Sequence, residues 1–115
     1  MNSLLISLCQ KQKLDLNNII CLQGQANYTK FFFVDGTPII VAKTLKLFEK
    51  SLDGIDINHF YRPNKTYIIN LAQVKKIECI DSVMQVELTN DIKFSISRRK
   101  KKDFISLTQS YFKNN

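Results

Sequence analysis

"NIICLQGQANYTKFFFVDGTPIIVA", residues 18–42, sets the fold class of this 115-residue chain. "NIICLQ" (18–23) is a short apolar run of strand length, and "GQAN" after it is turn-like. "NYTKFFFV" (27–34) is a second strand, with Phe31 and Phe33 on one face and Phe32 on the other, which core packing explains. Asp35-Gly36 is the dipeptide that most favours a tight hairpin turn, and "TPIIVA" (37–42) then returns antiparallel. Pro38 has no N–H for a ladder and belongs at a strand start or a sheet edge.

Working outward, strand patterns continue on both sides. "SLLISL" (3–8) is a short strand candidate and "KLDL" (13–16) alternates with period two. The period changes once, at "TLKLFEKSLDG" (44–54). There Leu45, Phe48 and Leu52 share one helical face, Thr44 suits the N-cap and Gly54 the position just past the end. "TYIINL" (66–71), "VKKIECI" (74–80), "VMQVEL" (83–88) and "IKFSIS" (92–97) then read as a strand meander, with turns at Asp81-Ser82 and Asn90-Asp91. "RRKKKDFISLTQSYF" follows as a basic turn leading into a helix, with Phe104, Leu107, Thr108 and Tyr111 on one face. The expectation is a single, mainly β domain over residues 1–115 with its core at about 13–108.

Composition narrows the function. The chain carries 17 Lys+Arg against 10 Asp+Glu, a net charge of +7. Residues 1–57 hold six basic and five acidic groups, whereas 58–115 hold eleven and five, so the excess sits in the second half. A concentrated positive field fits a polyanion, either nucleic acid or an anionic membrane surface. Cys9, Cys21 and Cys79 form no CxxC pair and each lies in or beside an apolar stretch, so buried free thiols in a reducing cytoplasm are expected. No metal and no cofactor is expected, because His59 is the single histidine and no Gly-rich phosphate loop occurs. "LLISLC" near the start lacks the basic flank and the length of a signal peptide, and no run reaches membrane-span length. A soluble, cytoplasmic protein is the expectation.

Catalysis finds no constellation. His59 has no Ser-His-Asp order around it and reads as an element boundary. Glu49 and Asp53 sit on the short helix between lysines and read as a solvated face. The run Arg98-Arg99-Lys100-Lys101-Lys102 is the strongest charge feature. It opens a helix, where the macrodipole disfavours cations, so an anion is expected opposite it. Its charges fall in one turn rather than along one helix face, which favours nucleic acid over a membrane surface. Tyr28, beside the "GQAN" turn, is a polar aromatic near a loop.

"HFYRPNKTYIIN" (59–70) joins these pieces. Together with "NIICLQGQANYTKFFFVDG", "TLKLFEKSL" and "FSISRR", in that order, it resembles the LytTR-type DNA-binding domain of bacterial transcription regulators. In that pattern an Ile-rich strand leads to a small loop and Asn-Tyr, and a "sLk-fe-L" helix follows. Next come Phe-x-Arg-[apolar]-His-[basic]-Ser-Tyr-[apolar]-[apolar]-Asn and a strand ending in Ser-Arg. Pro63, Asn64 and Thr66 depart from it, while Lys65 keeps the basic character of its position. The resemblance implies an elongated β-β-β fold that reads double-stranded DNA with inter-strand loops in successive major grooves. It implies Tyr28, Lys65 and Arg98 as base-contact candidates. Arg grips guanine O6 and N7 bidentately and Lys reaches the same acceptors. Arg62, Arg99, Lys100, Lys101 and Lys102 suit phosphate contacts, which position without reading. Asn70 is expected to be structural. The partner would be duplex DNA with direct repeats, bound by a protein monomeric in solution. About twelve residues precede the pattern, so no phosphoacceptor domain is expected in this chain. That makes it a stand-alone regulator or the output part of a longer protein. An RNA-binding β module and a membrane-surface protein are the alternatives.

Overall fold

Ile19, Ile20, Cys21 and Leu22 are all buried, so the apolar run at 18–23 forms a strand covered on both faces. The computed structural model describes residues 15–52 and 59–113. In it this strand, β1 (Ile19–Gln25), is the centre of a five-stranded antiparallel sheet. β2 (Tyr28–Phe33) and β5 (Tyr67–Asn70) flank it, and β3 (Ile39–Val41) and β4 (Phe60–Tyr61) form the edges. A second, three-stranded sheet contains β6 (Val74–Ile80), β7 (Val83–Leu88) and β8 (Lys93–Ile96) in sequence order. Among the described residues two α-helices complete the fold, α1 (Leu45–Leu52) and α2 (Arg98–Lys113). The chain is mainly β and elongated, 43 × 30 × 25 Å.

The core has two layers because the first sheet is apolar on both faces. Leu22, Phe31 and Ile68 are register partners on one face, and α1 presses Leu45 and Phe48 onto them. The rings of Phe31 and Phe48 meet edge-on at 5.0 Å. Cys21 and Ile69 look the other way, into a cluster with Met84, Val86, Leu88 and Ile96 of the second sheet and Phe104 of α2. Burying each such large side chain stabilises by about 1.5–3 kcal/mol. Asn70, 1 % exposed, ties the layers: its Nδ2 donates to the Ile19 carbonyl (2.9 Å) and its Oδ1 accepts from the Ala72 N–H (3.0 Å). Asn70 is therefore structural, as its place inside a strand end suggested.

Several expectations need correction. The tight turn of the first hairpin is Ala26-Asn27, where Gln25 pairs with Tyr28 and Ala26 takes φ +44°. Asp35-Gly36 instead lies in a five-residue loop, with Gly36 at φ +91° and pairing resumed only at Ile39. Pro38 explains the delay, since it cannot donate to the ladder, and it precedes an edge strand as expected. The four-strand meander is divided: β5 sits in the first sheet, and only β6–β8 form the second. Leu16 opens a 3-10 turn capped by Asp15 rather than ending a strand at 13–16. β4 was not foreseen, being only two residues long. Turns at Asp81-Ser82 and Asn90-Asp91 occur as expected, with Asp81, Ser82 and Asp91 all at positive φ. The strand at 3–8, Cys9 and Gly54 lie outside the described residues.

The cysteines also divide. Cys21 is fully buried, and that burial pushes its thiol up to about 12, partly opposed by a hydrogen bond from Asn90. Cys79 is exposed, contrary to expectation. It pairs with Met84, so it is on the inner face of the second sheet, but β6 is an edge strand and the side chain stays exposed there. In a Cys9→Ser protein a bulky maleimide is expected to label Cys79 in the native state and Cys21 only after unfolding. Rapid native labelling of Cys21 would show that β1 is not held as described.

Candidate nucleic-acid interface

The turn between β4 and β5 is built almost wholly from its own polar groups. Pro63 fixes φ and is buried. Asn64 Oδ1 accepts from the N–H groups of Thr66 and Tyr67, both at 2.9 Å, an Asx turn that leads into β5. The Thr66 carbonyl accepts from the Gly24 N–H at 2.7 Å, which sets this turn beside the end of β1. The Arg62 guanidinium lies along the turn. Its Nε donates to the Asn64 carbonyl (3.1 Å), Nη2 to the Lys65 carbonyl (3.1 Å) and Nη1 to Glu49 Oε1 on α1 (2.7 Å). Lys65 is exposed, and its ammonium makes no ion pair among the described residues.

The basic run is helical from its first residue, not a turn leading into a helix. Ser97 starts it, with its carbonyl and hydroxyl oxygens both accepting from the Lys100 N–H at 3.0 and 3.3 Å. Helical geometry fans the five cations around the axis, so they do not form one patch. Lys100 Nζ donates to the Arg62 carbonyl at 3.2 Å, whereas Lys101 Nζ lies 3.6 Å from Cys79 Sγ on β6. Arg98, Arg99 and Lys102 are exposed. No acidic residue occupies the first turn, so the positive end of the helix dipole adds to the positive side chains.

Between turn and helix lies an open groove of about 500 Å³, lined by Arg62, Lys65, Arg99, Lys100, Ser95 and Ser97 among others. Four cations around one concavity focus a positive potential, and the serine hydroxyls add short-range donors. Tyr28 belongs to the neighbouring loop. Its hydroxyl donates to Gln25 Oε1 (2.7 Å), and Gln25 and then Gln23 continue the chain to the Tyr67 hydroxyl through bonds of 3.3 Å each. The structure thus brings Arg62, Lys65, Arg99 and Lys100 together and connects Tyr28 to them through β1 and β5. Arg98 and Lys102 are not among the groove-lining residues, and Lys101 turns toward β6.

Sequence reasoning missed Glu49, Ser95, Ser97 and the two glutamines. Glu49 was read as a solvated side chain, and its partner lies 13 positions away, beyond any local pattern. Ser95 lies on β8 and Ser97 just past its end, at the start of α2, and only the position of the β4–β5 turn makes them part of a groove wall. The phenylalanines form no open stacking platform: Phe31 is buried, and Phe32 and Phe33 pack against the two cores. His59 stacks on Phe60 at 5.0 Å, and burial lowers its pKa. It stands at the start of β4, the boundary expected for it. Among the described residues no acidic, histidine and cysteine cluster could hold a metal ion, and no helix is long and apolar enough to cross a membrane.

The family model for the LytTr DNA-binding domain matches residues 10–109. Among solved structures, the LytTr DNA-binding domain of a Bacillus cereus methyl-accepting/DNA response regulator is similar, with a TM-score of 0.64 at 18 % identity. The match covers 79 % of this chain and 81 % of that one, and at this identity it speaks to fold alone. Among curated proteins none matches.

Proposed function

The chain belongs to the LytTR family of DNA-binding domains, and from that premise we propose that it reads base edges of duplex DNA in the major groove with the loops gathered at one end of its first sheet. The observation that carries this reading is the groove where Lys65, Arg99 and Lys100 converge, in the half of the chain that holds most of the charge excess. DNA binding by a bacterial transcription regulator is the family's business; the residue roles are this proposal's own. Lys65, Arg98 and Tyr28 contact bases. Arg99, Lys100, Lys101 and Lys102 contact phosphates on either side, their fan around α2 following the curved backbone. Two copies occupy direct repeats and associate little without DNA, so sedimentation of the free protein at micromolar concentration is expected to show monomer. A tight dimer would contradict that arrangement.

Selection on randomised DNA supplies the preferred duplex and a scrambled control. With about four to six phosphate contacts, the slope of log K against log salt is expected near −4 to −5. Lys65→Ala and Arg98→Ala should each cost about 1–3 kcal/mol on the preferred duplex and much less on the scrambled one. Arg99→Ala should weaken both alike and make the slope shallower by about one. Equal losses on both duplexes for Lys65→Ala and Arg98→Ala would reduce them to backbone contacts. Tighter binding to single-stranded RNA or to anionic vesicles than to duplex DNA would overturn the reading itself.

A further inference from the structure

Arg62 stands in the groove, yet its side chain is only 22 % exposed and three of its N–H donors are already engaged. Two of them hold the carbonyls of Asn64 and Lys65, which bracket the peptide carrying the Lys65 side chain. The third is anchored on Glu49, so the turn is fastened to α1. Lys100 grips the Arg62 carbonyl from the opposite wall, which couples the turn to α2. A guanidinium is suited to this because its planar fork reaches several acceptors at fixed angles, which an ammonium cannot do. A side chain recruited simply to meet a phosphate would leave its fork open to solvent. Glu49, meanwhile, is a carboxylate on the wall of a DNA-binding groove, a place where an isolated negative charge repels the ligand.

We propose that Arg62 and Glu49 form a positioning brace that holds the 62–66 turn so that Lys65 meets a base edge, making the pair determinants of sequence specificity rather than of overall affinity. This rests on the DNA-binding reading above. It assigns Glu49 a favourable role in binding a polyanion, opposite to what its charge alone dictates. Arg62 correspondingly leaves the set of phosphate contacts expected from sequence.

The test uses the full chain with Glu49→Gln, Arg62→Lys and Arg62→Gln on the preferred and scrambled duplexes over a salt series. Each variant should bind the preferred duplex about tenfold more weakly, within the worth of one base contact. The scrambled duplex should be bound as well as before, or better for Glu49→Gln. The salt slope should stay unchanged for Arg62→Lys and Glu49→Gln. Adding Glu49→Gln to Lys65→Ala should remove little further discrimination, since the brace acts through Lys65. Tighter binding of both duplexes by Glu49→Gln would show a merely repelling charge. Wild-type behaviour of Arg62→Lys would show that charge, not the fork, matters; either result overturns the brace. Thermal melts report folding, and Glu49→Gln, at a half-exposed site, decides the matter if an Arg62 variant unfolds. A wild-type protein that distinguishes no duplex from its scramble defeats the DNA-reading premise instead, so the two failures are separable.

Discussion

Phe104→Ala is expected to cost about 3–5 kcal/mol of stability, the range for emptying a fully buried aromatic site. Phe104 is 0 % exposed and is the one fully buried large side chain described on α2. It reaches between the sheets, into the cluster formed by Cys21 and Ile69 of the first and Met84, Val86, Leu88 and Ile96 of the second, with the Tyr61 ring 5.6 Å away. Its loss therefore loosens three elements together, and few neighbours can move in without breaking a sheet. Small domains hold only about 5–15 kcal/mol in total, so urea midpoints should fall sharply. DNA affinity should fall as well, because α2 carries Arg99 and Lys100 into the groove. A loss below about 1 kcal/mol, ordinary for a surface change, would show that α2 is not docked here.

The second large effect concerns Asn70. Asn70→Ala removes both the bond to the Ile19 carbonyl and the cap on the Ala72 N–H, and Ile19 is itself fully buried. Water cannot replace the lost partner at that carbonyl, so the change leaves a buried acceptor unsatisfied as well as deleting bonds. The expected cost is about 2–4 kcal/mol, more than a hydrogen bond's net worth because of that orphaned group. Asn70→Asp keeps the acceptor but loses the donor and buries a charge, and it should be no better. Chemical denaturation of both variants checks this. A near-neutral Asn70→Ala would mean that the β1–β5 junction tolerates water.

Strands with an unambiguous period were legible residue by residue: β6 and β7 begin and end where the apolar pattern does. The helix Leu45–Leu52 was legible for the same reason, since Leu45 and Phe48 must share a face to be buried. What sequence could not convey was partnership. β5 and β6 are separated by three residues, Leu71–Gln73, and nothing local says that a 3-10 turn there sends them to different sheets. Cys79 was expected to be buried because its stretch is apolar, yet it is exposed: it pairs with Met84 but sits on the edge strand β6, and no local pattern says which strand becomes an edge. The candidate site divides the same way. Lys65 and the basic run stood out as charges, while the Glu49–Arg62 pair was invisible because it joins a helix to a turn. The count of cations predicted a polyanion; only their geometry separates those that line the groove from Lys101, which turns toward Cys79.

One end of the first sheet, with the start of α2, is proposed as the DNA-facing surface. Amide chemical shifts of isotope-labelled protein, followed while the selected duplex is titrated in at moderate salt, test it without any mutation. The largest changes are expected at residues 25–28, 62–66 and 95–100. The β6–β7 turn at 80–83 and the loop at 34–38 should stay in place. Changes centred on 80–83 or 34–38, with 62–66 unmoved, would contradict it.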